Sequence, residues 1–441
     1  CLLFFAKMAR VSLLADNQIA IALTNHVLLF EDENTSKLPI LLKYDVSSSS
    51  SQDNNATVIA MCFNMDKTKL AVIYSDKLLR TWDCMNGNMI AVQKLPKKLS
   101  SVTIAPIPEN LKKSCGIEVV LVGDKTGDVY SLSFPNLDKR KLMMGHTASI
   151  ITSINILPPS STFNHYMIAT SDRDEKIRLS YWPQTNLIHS YCLGHLEYIS
   201  NVMTSIQGCY PLISTSGDKT IRSWNPETGQ CLSMHTCTEG VPLCMARYNN
   251  KNLNDDFIVI SFANSKTISF MNLSNINLDQ TSTSTMEISN TMEVSQVPTN
   301  MGFTSNGALL ILCAEAPYFM VLNRSLSSDN NSSNTSDYVI SSNDDVGTQI
   351  QSIIKENGLK VLSALSLDDN ELKDNTCIVD VADQQEPGGG GDFVPGVNEL
   401  RKRAVDRPCT DWNSKKRLNW QGNSKPKGDE EGAAAEEEEN K

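Results

Sequence analysis

The stretch Ser171-Asp172-Arg173-Asp174-Glu175-Lys176-Ile177-Arg178 decides the fold, because the chain restates it. Gly145-His146 precedes it, Gly194-His195 follows it, and the next copy reads Ser216-Gly217-Asp218-Lys219-Thr220-Ile221-Arg222-Ser223-Trp224. Asp174 and Asp218 stand 44 residues apart. A fixed period of that length means stacked units, each too small to bury its apolar face alone. Working outward, the same phase recurs at Asp76-Lys77-Leu78-Leu79-Arg80-Thr81-Trp82-Asp83 and, 48 residues later, at Asp124-Lys125-Thr126-Gly127-Asp128-Val129-Tyr130, with 50 more to Asp174. Weaker copies sit at Ser265–Phe270 and Asn25–Phe30, and the most degraded at Glu315–Val321.

The two clearest copies run from Gly-His through alternating apolar residues to Asp-x-x-Ile-Arg, and the second goes on to Trp224, which is the WD-repeat pattern of a four-stranded propeller blade. The aspartate caps a tight turn, while the upstream His, a Ser or Thr and the Trp form a buried hydrogen-bond chain that fixes strand order. By phase, His146, Asp174, His195, Asp218 and Trp224 belong to that structural network. The expected fold is all-β: a seven-bladed WD-repeat β-propeller over residues 8–374, with a disordered C-terminal tail over 375–441. Seven blades of about 45 residues use roughly 315 of the chain. Six blades would suffice if the copies at Asn25 and Glu315 shared one composite blade.

The 441 residues include 40% hydrophobic and 6% aromatic side chains, enough for a core between blades, and a net charge of −11 argues against nucleic-acid binding over the whole surface. The 12 cysteines show no C-x-x-C pair or regular ladder, a reduced, intracellular pattern. Asn-x-Ser/Thr triplets such as Asn55-Ala56-Thr57 are read as compositional accidents of an Asn/Ser-rich chain. The opening apolar run, Cys1 to Met8, is too short for a signal or membrane-spanning segment, and Met8 is the expected start.

Beyond about Asp374 the composition changes to Gly388–Gly391, Arg401-Lys402-Arg403, Lys415-Lys416-Arg417 and a closing Glu436–Glu439 run, which reads as a solvated tail. Two basic triplets separated by eleven residues look like a bipartite nuclear import signal, with nonspecific RNA contact as the alternative. The expected location is the nucleus, with a cytoplasmic pool.

Catalytic signatures are missing. The Gly-rich run lies in the tail with no strand before it, no H-x-x-x-H or paired cysteines offer a metal site, and His195, Asp218 and a nearby Ser resemble a triad only until their repeat phase is considered. The chain reads as a binding platform, not an enzyme, with function carried by departures from the repeat. One place before the turn aspartate the copies show Ser75, Gly123 and Gly217, against Arg173; two places after it they show Leu78, Thr126 and Thr220, against Lys176. Arg178 is less distinctive, since Arg80 and Arg222 share its phase.

Residues 171–178, Tyr191-Cys192-Leu193-Gly194-His195-Leu196-Glu197-Tyr198-Ile199-Ser200 and Gly123–Tyr130 together resemble the WD-repeat, non-catalytic subunit of the eukaryotic tRNA (guanine-N7)-methyltransferase. The resemblance is sharpest over residues 119–224. It implies a scaffold that holds a separate Rossmann-type catalytic subunit in active form. That partner binds S-adenosylmethionine and methylates a guanine N7 in the tRNA variable loop, so no cofactor is expected on this chain. By position, the family's partner-facing basic residues carry over to Arg173, Lys176 and Arg178. Ser180, where the repeat has Trp, departs from the pattern, as does the acidic terminus. A generic WD-repeat adaptor, such as a ubiquitin-ligase substrate receptor, is the alternative reading.

Overall fold

The second strand of each repeat is a nearly unbroken apolar run, such as Lys69–Tyr74 (KLAVIY), Glu118–Asp124 (EVVLVGD) or Leu309–Cys313 (LLILC). Such runs suit a strand covered on both faces. The fourth strands instead carry exposed residues, as in Met89–Lys94 (MIAVQK) and Ile288–Glu293 (ISNTME). A sheet whose middle strands are buried on both sides and whose last strand meets water must lie between two like neighbours.

That is the arrangement in the structure, a computed structural model that describes residues 10–13, 18–23, 26–31, 40–42, 56–108, 117–159, 164–203, 212–250, 255–273, 286–303, 307–313, 319–324 and 338–340. These residues form seven four-stranded antiparallel sheets, each built from four strands consecutive in the chain. In order they span residues 10–42, 58–94, 99–145, 151–192, 199–236, 242–293 and 298–340. The first strands of successive sheets pack on one another in chain order, and that of the seventh packs on that of the first, so the sheets close into a ring. The copies at Asn25 and Glu315 fall in different sheets, with His26–Glu31 in the first and Phe319–Arg324 in the seventh. The proposed boundary at residue 374 and the whole tail lie outside the described residues.

The core is distributed between sheets. One cluster joins Ile73, Leu79 and Leu99 with Val120 and Val122 across the second and third sheets, and others join the remaining sequential neighbours. Each fully buried Leu, Ile or Val contributes about 1.5 to 3 kcal/mol by leaving water.

The structure corrects one reading of the repeat. Gly145 ends the outer strand Lys141–Gly145 of the third sheet, so the unit that begins with Gly-His starts at the edge of one sheet and finishes inside the next.

Candidate functional site

The tight turn between second and third strands is where the repeat's chemistry is concentrated. Strand register fixes which residues are equivalent: Ile73 pairs with Leu79, Gly123 with Val129, Ser171 with Ile177 and Thr215 with Ile221, each enclosing five residues. The fourth enclosed residue is in the left-handed region in every case: Lys77 (φ 74°), Gly127 (φ 105°), Glu175 (φ 73°) and Lys219 (φ 63°). At Gly127 a Cβ would lie 2.2 Å from the His146 carbonyl oxygen, so that turn admits only glycine.

In the fifth sheet the hydrogen-bond chain is complete. Trp224 Nε1 donates to Ser214 Oγ (2.8 Å), Ser214 Oγ meets His195 Nε2 (2.7 Å), and His195 Nδ1 meets Asp218 Oδ2 (2.9 Å). The Asp218 carboxylate only accepts, so the neutral His195 ring donates from Nδ1 and its Nε2 accepts from the Ser214 hydroxyl, whose oxygen accepts from Trp224. Asp218 also accepts from the Leu196 and Thr220 amides. Burial pushes the Asp218 carboxyl up, but the bonds from His195, Thr220 and Leu196 outweigh it and hold it well below the ordinary range. Burial holds His195 below its usual value, against the pull of Asp218. Gly194, at φ +154°, lets the chain pass Arg222, whose Nη1 would lie 2.6 Å from a Cβ there.

Asp218, His195 and Ser214 thus have the connectivity of a hydrolytic triad. Ser214 is fully buried and its oxygen already accepts from Trp224, so no substrate carbonyl can reach it. The constellation is structural. Among the described residues no group of three or more His, Cys, Asp or Glu is placed to hold a metal ion.

The fourth sheet builds the same chain from different residues, and Asp174 is not one of them. His146 Nδ1 bonds Asp172 Oδ2 (2.9 Å) and its Nε2 bonds Thr170 Oγ1 (2.8 Å), while Asp172 Oδ1 accepts from the amides of Asp174 (2.8 Å) and Lys176 (3.0 Å). Asp174 Oδ1 is buried without a hydrogen bond and lies 3.7 Å from Arg173 Nε. Asp124 in the third sheet matches Asp172, accepting from the amides two and four residues on. Sequence phase missed this because an aspartate at the last residue of the strand and one inside the turn can both reach the histidine. Strand pairing aligns Asp124 with Asp172, 48 residues apart, and Asp76 with Asp174 and Asp218.

This register also revises the comparison that singled out the basic residues. The equivalents of Arg173 are Ser75, Lys125 and Gly217, so a cation is not unique there; those of Lys176 are Leu78, Asp128 and Thr220. Leu78 and Thr220 are buried and Asp128 pairs with Lys97 at 2.9 Å. Lys176 is exposed and no carboxylate lies within ion-pair distance of its ammonium among the described residues. Arg173 is half-buried beside Asp174.

Arg178 points inward. Its Nε donates to Ser180 Oγ (2.9 Å), Nη1 to the Gly145 carbonyl (3.2 Å) and Nη2 to the Thr185 carbonyl (2.8 Å), and the residue is 8% exposed. In the fifth sheet Arg222 instead lies over the Trp224 ring, 6.0 Å from its centroid. With Ser180 in the Trp position, the Arg178 guanidinium bends back to bond it and stitches the third and fourth sheets together. The expected partner-facing trio therefore separates into an exposed Lys176, a half-buried Arg173 at the turn beside it, and a structural arginine.

Residues 135–357, half of the chain, match the family model for the tRNA methyltransferase TRM82 WD40 domain. The chain belongs to this family. Members similar to it include the tRNA (guanine-N(7)-)-methyltransferase non-catalytic subunits wuho of Drosophila mojavensis, 34% identical over 40% of this chain and 43% of that protein, and wdr4 of Dictyostelium discoideum, 30% identical over 49% and 46%. Subunit TRM82 of Saccharomyces cerevisiae (strain RM11-1a) is 33% identical over 35% of each. The matched part spans less than half the length of these TRM82-family relatives. A chain in the crystal structure of the mitotic checkpoint complex superimposes with a TM-score of 0.54 at 13% identity, over 70% of this chain and 85% of that one, a likeness of fold alone. The rebuilt chain around His146 and the Lys176 corner both lie inside the stretch that matches the TRM82 family model.

Proposed function

We propose that this chain is the non-catalytic scaffold subunit of a heterodimeric tRNA (guanine-N7)-methyltransferase. The observation that carries this is the family match over residues 135–357, joined to a triad-like group whose serine is sealed inside a sheet. In this reading S-adenosylmethionine and the chemistry reside on the catalytic subunit, which methylates a guanine N7 in the tRNA variable loop. This chain supplies a rigid surface that holds its partner in active form. Lys176 and Arg173 meet carboxylates of that partner, and Arg178 acts indirectly by fixing the strand that carries them. Stoichiometric co-purification from cell extract, followed by a tRNA N7-methylguanosine assay, is the test. Recovery of a ubiquitin-ligase core with no methyltransferase would sink the reading. The location proposed is the nucleus, directed by residues 401–403 and 415–417, with a cytoplasmic pool.

A further inference from the structure

The outer strand of the fourth sheet, Ile188–Cys192, has one covered face and one bare face. On the covered side the turn of the fifth sheet lies against it: His189 Nε2 bonds the Glu227 carbonyl (2.8 Å) and Ser190 Oγ the Pro226 carbonyl (3.4 Å). The bare face is set by a bulge. Tyr191 pairs with Arg178 and Ile188 with Ser180, the register slipping by one between Leu179 and Ser180. Arg178 and Ser180 are two apart on one strand and so share a face, which places Ile188 and Tyr191 together on that face although three residues separate them. Leu193 continues the alternation.

Those three side chains are 45%, 40% and 63% exposed, an apolar line on a strand edge. The line leads to charge. Ile177 pairs with Cys192, so Lys176 and Leu193 are the next residues beyond that pair at the same end, and alternation puts Lys176 on the face of Arg178. Lys176 ends the strip with a cation that meets no carboxylate of the described residues, and Arg173 stands at the adjoining turn.

We propose that Ile188, Tyr191 and Leu193 form the apolar half of the surface that docks the catalytic subunit, and that the segment seated there carries apolar side chains ending in a carboxylate that meets Lys176. The inference rests on the reading of this chain as a methyltransferase scaffold. Charge complementarity selects the occupant: an apolar strip closed by an exposed cation that no described carboxylate pairs within 4 Å favours a segment with an acidic end, and a second copy of this chain would bring Lys176 against a like strip. The apolar contacts exclude water from the ion pair and so strengthen it.

The experiment uses the full chain and purified catalytic subunit, with Kd measured by titration calorimetry. Tyr191→Gln/Leu193→Gln should weaken binding about tenfold or more without adding charge near Lys176. Met89→Gln, on the outer strand of the second sheet, should leave it unchanged. Because Tyr191 borders Arg178, Leu193→Gln alone is measured beside the pair, with melting temperature as the check that the sheet is intact. Unchanged Kd in a folded Leu193→Gln variant would overturn the proposal, as would a homodimer of the wild-type chain that the variant abolishes. Failure of the wild-type chain to bind any catalytic subunit would instead remove the scaffold reading beneath it.

Discussion

Arg178 and Lys176 stand two residues apart, and replacing each by glutamate should produce opposite phenotypes. The Arg178 guanidinium holds three acceptors, at 2.9, 3.2 and 2.8 Å, two of them main-chain carbonyls from outside its own strand. Removing it leaves those acceptors unsatisfied in a site where burial already lowers the Arg178 pKa. Allowing for partial relaxation, the loss should be about 2 to 4 kcal/mol, and a carboxylate facing two carbonyl oxygens places Arg178→Glu at the upper end. For a domain of this size that corresponds to a melting temperature lower by about 3 to 6 °C. Lys176 is exposed and pairs with no carboxylate of the described residues, so Lys176→Glu should move melting by about 1 °C or less while weakening assembly with the catalytic subunit about tenfold or more. Differential scanning fluorimetry of the isolated chain and calorimetric titration with the partner separate the two. An Arg178→Glu variant that melts like wild type would show the guanidinium to be free for a partner, and the assignment of Arg178 to the structure would fail.

Further expectations follow from the same geometry. Asp172→Ala should lower stability by about 1 to 3 kcal/mol by orphaning His146 and two turn amides, whereas Asp174→Ala should stay within about 0.5 kcal/mol, both read from urea midpoints. Acid should destabilise the ring. Asp172 and Asp218 have folded pKa values below the unfolded value of about 3.9, so their contribution is present above that pH and is lost as pH falls through the folded values. His195 is also depressed, so below about pH 6.5 the unfolded chain takes up its proton first and stability again falls. Asp218→Asn should be less stable at neutral pH and flatter on the acid limb, and an unchanged urea-midpoint profile would contradict the assignment. Deleting residues 396–441 from a tagged chain should abolish nuclear accumulation, and unchanged microscopy would make the basic triplets a solvated charge run.

The all-β repeat, the His195-Asp218-Trp224 chain and the family were legible in the sequence, because each depends on identities at short, regular spacing. Gly194-His195, Asp218 and Trp224 announce their blade wherever the chain folds. Register was not legible. Asp174 aligned with Asp218 by residue identity, yet Asp172 takes its role, since a carboxylate reaches the histidine from either of two positions and only strand pairing says which is used. Matching Asp124 to Asp174 shifted the comparison by two residues and hid Lys125 as the counterpart of Arg173. The direction of Arg178 was likewise decided in three dimensions: the carbonyls it bonds belong to Gly145, on another sheet, and Thr185, in the turn that follows its strand. A period-two pattern tells which residues share a face, but whether that face meets water or a neighbouring sheet depends on what the ring packs against it.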